Sequence, residues 1–303
     1  LLNHSNKIKI YGIDNLDDYY SKKIKYLRLA ELKKSKNFKF FKIDICNRNL
    51  LKKKIEKKKF EYVIHLAAQA GVRFSAVNPK KYIDTNIFGF INILDAVTSK
   101  IPKKILYASS SSVYGDSKSL PSKEGDKLFP INVYASSKKI NEIVANFYSR
   151  YYNLNLIGLR FFTVYGEWGR PDMFLFKLFK SYLLKDNFYL NNSGNHKRDF
   201  TYINDAIKII IKLMFINKVK YKHKIFNICS NRPIKITKII DFFFNKYGSV
   251  KLRKISRNKL DVKNTHGSNS VIKKVTSFNN FSDYKLGITN SFKWYKKYKI
   301  HKL

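Results

Sequence analysis

The sequence predicts an α/β fold, a doubly wound parallel sheet followed by a smaller, interwoven C-terminal part, on three observations. Short apolar, β-rich runs alternate with helical stretches up to residue 161. From residue 162 the pattern becomes less regular and mixes helices with short strands. The 303 residues are 44% hydrophobic and 16% aromatic, enough to bury a sizeable core and too apolar for a disordered chain.

The runs at 7–13, 38–43, 62–66, 104–108 and 155–161 read as strands, and the stretches near 18–34, 48–59, 79–100 and 133–152 as helices between them. Strands separated by helices are joined by right-handed crossovers, so the sheet is parallel and covered on both faces. Ligands on such a sheet bind at the carboxyl ends of the strands, near the point where strand order reverses. In the stretch 48–59, Leu51 and Ile55 share one face and lysines surround it, the pattern of a solvated surface helix. Further helices are expected near 171–185, 203–217 and 235–247, with a short strand at 224–228. The division expected is 1–161 and 162–303, without repeats or a low-complexity linker.

The first strand ends at Ile13 and is followed by Asp14. A dinucleotide-binding unit opens with a strand, a glycine-rich turn and a helix, and about 20 residues later an acidic side chain at the end of the second strand holds the adenosine ribose. The one glycine before Gly71 is Gly12. Asp14 is therefore read as that acidic residue. The sheet is expected to lack its first strand and most of its first helix, Leu1-Leu2-Asn3-His4 being the tail of that helix.

The net charge is +40, from 61 Lys and Arg against 21 Asp and Glu. Such a charge raises nucleic-acid binding. The lysines are spread along the whole chain without a recognition motif, so no specific nucleic-acid function is expected. The two cysteines, Cys46 and Cys229, make neither a disulfide framework nor a zinc site, and are expected to be buried and reduced. No metal site is expected. No apolar run reaches the length of about 18 residues that a membrane span needs, and no signal peptide is visible. The expectation is a cytoplasmic protein.

The constellation that carries chemistry is Tyr134-Ala135-Ser136-Ser137-Lys138, preceded by the serine run 109–112. Residues four apart on a helix share a face. An ammonium beside a phenol favours the phenolate, and a phenol so tuned can take and return a sugar-hydroxyl proton near neutral pH. The serines follow the apolar run Ile105-Leu106-Tyr107-Ala108, which puts their hydroxyls at a strand's carboxyl end, where one can bridge the phenol and a substrate oxygen.

This arrangement resembles the active site of the extended short-chain dehydrogenases/reductases, in the NAD-dependent epimerase/dehydratase family. Longer stretches narrow the resemblance. His65 to Arg73, reading HLAAQAGVR, is similar to the family's H-x-A-A segment, and Tyr107 to Gly115, reading YASSSSVYG, to the epimerase serine motif. Leu159 to Met173, reading LRFFTVYGEWGRPDM, is close to the form in UDP-glucuronate 4-epimerases. Arg198 to Tyr202, reading RDFTY, resembles the segment that faces the UDP phosphates. The resemblance covers roughly residues 8–245 and returns at 291–298.

The resemblance implies a Rossmann-like sheet, an NAD cofactor, a UDP-sugar substrate held by the C-terminal domain, and a homodimer. It implies Tyr134 as catalytic base and acid, Lys138 as the residue that tunes it and binds the nicotinamide ribose, and Ser110 as the catalytic hydroxyl, with Ser111 and Ser112 toward the substrate. Asp14, Asp44, Ile45, Leu66, Ala67, Ala68, Asn86 and Ser109 would face the cofactor. Thr163 and Arg170 would face the sugar, Arg170 pairing with a hexuronate carboxylate, and Arg198 would meet the diphosphate. His65 is expected to pack rather than react; Gly71-Val72-Arg73 is readable also as a loop with a solvated charge, Arg170-Pro171-Asp172 also as a helix start, and Arg198-Asp199 also as a surface ion pair. His266-Gly267 departs from the alanine-aspartate pair common in the family.

The implied reaction is 4-epimerisation of UDP-glucuronate to UDP-galacturonate through a 4-keto sugar. UDP-glucose 4-epimerisation, and a truncated relic unable to bind NAD, stand as alternatives. Dehydratases of the superfamily carry an acid just after the motif's hydroxyl. Here Ser111, Ser112 and Val113 stand there, so elimination lacks its acid.

Overall fold

A computed structural model describes residues 1–2, 7–117, 119–216 and 222–303. Asn3, His4 and position 217 of the expected elements lie outside the described residues. In chain order the first half comprises β1 (Ile10–Asp14), α1 (Lys22–Lys33), β2 (Phe38–Lys42), α2 (Arg48–Ile55), β3 (Tyr62–His65), α3 (Phe74–Val77), α4 (Pro79–Tyr82), α5 (Gly89–Thr98), β4 (Lys104–Ser110), α6 (Val133–Tyr151) and β5 (Leu156–Phe161). The stretch expected as one helix at 79–100 is interrupted by a π-helical turn, Ile83–Phe88. Then follow β6 (Thr163–Tyr165), α7 (Phe174–Leu184), β7 (Phe188–Asn191), β8 (Lys197–Tyr202), α8 (Ile203–Phe215), β9 (His223–Ile228), β10 (Pro233–Lys235), α9 (Ile236–Tyr247), β11 (Leu252–Ile255), α10 (Ser270–Thr276) and α11 (Tyr284–Lys297).

This is the Rossmann-like α/β class. β3, β4, β5 and β9 form one parallel sheet in that order, and β1 and β2 a parallel pair. Period-two alternation shows that the larger sheet is covered on both faces. Ile105 and Tyr107 point to a cluster with Leu51, Phe90, Leu94 and Ala145 from α2, α5 and α6. Leu106, Ile157 and Leu159 point to the opposite cluster, with Ile209 and Leu213 of α8 and Ile272 of α10. Ile13 and Phe41 pack on the first of these clusters, which joins the β1–β2 pair to it.

A third, aromatic core unites α7, α9 and α11, with Phe179 and Phe243 stacked at 5.4 Å. Ile24 and Leu27 of α1 join this core, and β9 returns to the sheet, so the two halves are interwoven. β6–β8–β10 and β7–β11 are short ribbons beside it.

Lys104 opens β4 nearly buried, where its Nζ donates to the carbonyls of Leu213 (2.8 Å), Met214 (3.1 Å) and Ile216 (2.7 Å) at the end of α8. A cation there satisfies orphan carbonyls and the negative end of the helix dipole. Lys104→Met is expected to lower unfolding free energy by about 1–3 kcal/mol, measured by urea melts. A loss below about 0.5 kcal/mol would show that water replaces it.

Candidate active site

A cleft of about 1400 Å³ opens at the carboxyl ends of β1, β3, β4 and β5 and extends to β7 and β8. Single small-molecule pockets run to roughly 300–1,000 Å³, so this cleft has room for two extended ligands.

α6 delivers the phenol and the ammonium. Asn132 caps it by accepting from Ala135 N at 2.8 Å, which fixes Tyr134 in the first turn and Lys138 one turn later. Lys138 is buried and donates to Ala108 O at 3.0 Å, and burial lowers its pKa to about 8. The Tyr134 ring meets Tyr82 edge-on at 6.2 Å, and the Tyr82 hydroxyl is anchored on Ala70 O (3.0 Å) and Gly71 O (2.5 Å). His65 stacks on Phe90 at 5.2 Å, and burial, followed by the Lys138 charge, pushes its pKa to about 3. It packs as a neutral ring.

β4 ends in the serine run. Ser110 lines the cleft, and its Oγ accepts from Ser112 N at 3.2 Å, capping the 3-10 turn Ser111–Tyr114. The Ser110 hydroxyl keeps its own proton to donate. Ser111 and Ser112 form that turn, next to the cleft-lining Ser110, and both are half-buried. Ser109 also lines the cleft; it is 2% exposed and its hydroxyl donates to Glu142 Oε1 at 2.6 Å.

Asp14, Ile45, Leu66, Ala67 and Ala68 line the same cleft. Asp14 Oδ1 accepts from Leu16 N at 2.7 Å. Ile45 packs against Gly89, where an added Cβ would lie 2.6 Å from its side chain. Asp44 borders an adjoining cavity, with Asn15 Nδ2 donating to it at 2.9 Å. Asn86 sits behind the cleft wall. It is 1% exposed, bonds both backbone groups of Gln69 and donates to Ser137 Oγ at 2.9 Å, so it ties the wall at Gln69 to α6 from behind. An acidic residue at the end of β1, small side chains after β3 and a buried ammonium on α6 fit the ribose, the flat ring system and the nicotinamide ribose of a dinucleotide.

Thr163, Arg170 and Arg198 also line the cleft. Arg170 is held bidentately by Asp172, Nε to Oδ1 and a terminal nitrogen to Oδ2, both at 3.0 Å. Burial opposes its charge, but Asp172 outweighs that and holds its pKa above the ordinary value. The helix expected to open at Pro171 begins instead at Phe174, because Met173 N closes a turn on Arg170 O at 3.2 Å and Met173 itself is extended, at φ −77° and ψ 152°. Arg198 and Asp199 are not an ion pair. Arg198 donates to the carbonyls of Lys197 (2.9 Å), Val262 (2.7 Å) and Lys263 (2.9 Å). The buried Asp199 carboxylate takes Ser230 N (3.0 Å) and Gly267 N (3.1 Å). Arg73 is an exposed charge and pairs at the surface with Asp261 at 2.7 Å. Cys46, expected buried, is exposed, and Cys229 is buried; both are free thiols.

Sequence reasoning missed the loop between β1 and α1. Three Asx turns, closed on Asp14, Asn15 and Asp17, bend it so that Tyr19 and Tyr20 reach the cleft. Tyr19 lies against Asp172, and burial, then that carboxylate, raise its pKa. Arg28 stacks over Tyr20 at 5.4 Å and donates to Gly169 O at 2.8 Å. The readable signal was the Asp-Asp-Tyr-Tyr run, taken as helix start.

Residues 2–229 match the family described as NAD dependent epimerase/dehydratase. Protein CapI of Staphylococcus aureus is 37% identical over 95% of this chain and 91% of that protein. A UDP-glucuronate 4-epimerase of Thermodesulfobacterium geofontis is 37% identical over 95% of this chain and 88% of that protein. The solved UDP-glucuronic acid 4-epimerase of Bacillus cereus, in complex with UDP-glucuronic acid and NAD, superposes with a TM-score of 0.92 at 25% identity, covering 98% of this chain and 94% of that one. The chain therefore belongs to the NAD-dependent epimerase/dehydratase family.

Proposed function

We propose that this protein inverts a UDP-hexuronate at C4, converting UDP-glucuronate to UDP-galacturonate, with NAD as resident cofactor. The observation that carries the reading is one cleft lined by a phenol and an ammonium on α6, a strand-terminal serine on β4, and the guanidinium of Arg170. Relatives at 36–37% identity over 95% of the chain that bear the name UDP-glucuronate 4-epimerase support the choice of sugar.

Tyr134 takes the proton of the C4 hydroxyl and later returns it, while Ser110 donates to the same oxygen and orients it. Bound NAD supplies the hydride acceptor and donor at C4, so the sugar passes through a 4-keto form without net redox. Lys138 holds the nicotinamide ribose and keeps a positive charge beside the phenol. Arg170 takes the hexuronate carboxylate and Arg198 the diphosphate. Residues 1–161 serve mainly the cofactor and 162–303 mainly the UDP-sugar. The chain is incubated with NAD and UDP-glucuronate, and the sugar H4 signal is followed by NMR. Appearance of UDP-galacturonate supports the reading, and its absence at saturating NAD would sink it.

The depressed pKa of Lys138 sets a pH dependence. Its charge is present below about 8 and lost above it. The value of kcat/KM is expected to fall as pH rises through about 8. Stability moves the opposite way. The unfolded lysine still binds its proton between about 8 and the ordinary 10.5, so unfolding free energy rises with pH across that window. A flat kcat/KM from pH 7 to 9 would show that the charge is not needed.

The working unit is proposed to be a cytoplasmic homodimer. Ile143, Phe147 and Tyr151 form an exposed apolar stripe at four-residue spacing on α6, a self-complementary face for a second copy. Light scattering is expected to give twice the 35.7 kDa chain mass and to return the monomer for Phe147→Glu. A wild-type monomer at micromolar concentration would remove the dimer.

A further inference from the structure

Behind the reactive residues lies a buried ion pair that the proton transfer does not use. Glu142 is four residues past Lys138, so Tyr134, Lys138 and Glu142 lie on one stripe of α6. Arg160 on β5 grips Glu142 with two bonds of 2.8 Å, and the two residues are 3% and 6% exposed. In the β4–β5 register Arg160 stands opposite Ser109, and Ser109 donates to the same carboxylate at 2.6 Å. Arg160 also donates to the Tyr114 hydroxyl (2.8 Å) and to Glu124 O (3.0 Å), and its guanidinium lies 4.8 Å from the Tyr114 ring. Tyr114 closes the 3-10 turn that Ser110 caps.

Two consecutive residues of β4 are thus gripped by two consecutive turns of α6. Ala108 O is held by Lys138 and Ser109 Oγ by Glu142. The next residue of the strand is Ser110, and one turn earlier on the helix is Tyr134. We infer that Glu142 and Arg160 are positioning residues: their ion pair, through Ser109 and Tyr114, fixes the height of α6 along β4 and so the placement of the Tyr134 phenol against the Ser110 hydroxyl. A network whose members are all satisfied holds one arrangement, whereas helix packing alone tolerates sliding. Misplacement of a reacting group by an ångström is enough to slow a reaction many-fold without weakening binding.

This rests on the epimerase reading, and the test separates the two. Single removal of Glu142 or Arg160 leaves a buried charge without its partner and endangers the fold. Two other variants avoid that. Glu142→Leu combined with Arg160→Met fills the space with apolar groups, an exchange that is often neutral or stabilising. Ser109→Ala removes the strand's anchor and leaves the ion pair intact. Both are expected to melt within a few degrees of wild type and to bind UDP-glucuronate in calorimetry within about twofold. Their kcat is expected to fall, by about tenfold or more in the double variant and about three- to tenfold in Ser109→Ala, with KM unchanged. Amide exchange at residues 134–138 is expected to accelerate in both. A purely structural pair would leave kcat within twofold wherever the melting temperature is kept, and that result, or unchanged amide exchange, overturns the inference. If wild type does not turn over UDP-glucuronate, the epimerase reading fails, and the amide exchange of the two variants still decides for or against the positioning role.

Discussion

Replacing Tyr134 with Phe is expected to lower kcat by about 10³-fold while the Kd for UDP-glucuronate stays within about threefold. Positioned proton transfer contributes roughly 10²–10⁴-fold, and in the proposed reaction the phenol oxygen is the atom that performs it. The substitution removes one oxygen and leaves the ring, whose edge contact with Tyr82 at 6.2 Å holds it in place. Lys138 keeps its bond to Ala108 O, because that bond does not involve the phenol. The folded structure is therefore unchanged and the loss falls on the chemical step. Steady-state rates from NMR at H4, with Kd from calorimetry, check it. A kcat within tenfold of wild type would mean that another group moves the proton. Tyr19, which also lies in the cleft, would then be the residue to replace.

Why some of this was legible in the sequence and some was not has a physical basis. The strands of the larger sheet and the β1–β2 pair are apolar runs bounded by polar turns, and the structure places them within a few residues of the positions read from the pattern. The helix α6 was equally plain, since Tyr134 and Lys138 share a face at four-residue spacing. The ribbons of β6, β7, β8, β10 and β11 have three to six residues each, and pairing between distant segments makes them strands, which local propensity does not reveal. The loop after β1 failed for a different reason. Asp and Asn side chains compete with the helix for its backbone N–H groups, so a run that looked like a helix start became consecutive turns. The partners of Ser109 and Asn86 were not legible, because a side chain near a motif can bond a group far away in sequence: Glu142 for Ser109, and Gln69 and Ser137 for Asn86.

Replacing Arg170 with Leu is expected to lower kcat/KM for UDP-glucuronate by about 10²-fold and to change that for UDP-glucose by less than about threefold. A bidentate, charge-assisted pair is worth about 1.5–3 kcal/mol, which corresponds to roughly 10- to 10²-fold. The surroundings add to this. Arg170 already holds the Asp172 carboxylate through two bonds of 3.0 Å, so an incoming hexuronate carboxylate either shares the guanidinium or displaces its neighbour. Removing the guanidinium both deletes the attraction and leaves Asp172 facing a second negative charge. Asp172→Asn should therefore act in the opposite direction and lower KM for UDP-glucuronate, because the guanidinium is released to the ligand. In the combined variant, Arg170→Leu with Asp172→Asn, part of the loss should be recovered, since the repulsion is gone. A neutral hexose exchanges no charge with either residue and feels none of these changes. Competition between UDP-glucuronate and UDP-glucose, run on all four proteins, reads the effect directly. If both sugars lose equally in Arg170→Leu, the guanidinium serves the diphosphate or the loop, and the hexuronate preference must be sought at Thr163 and the serine turn.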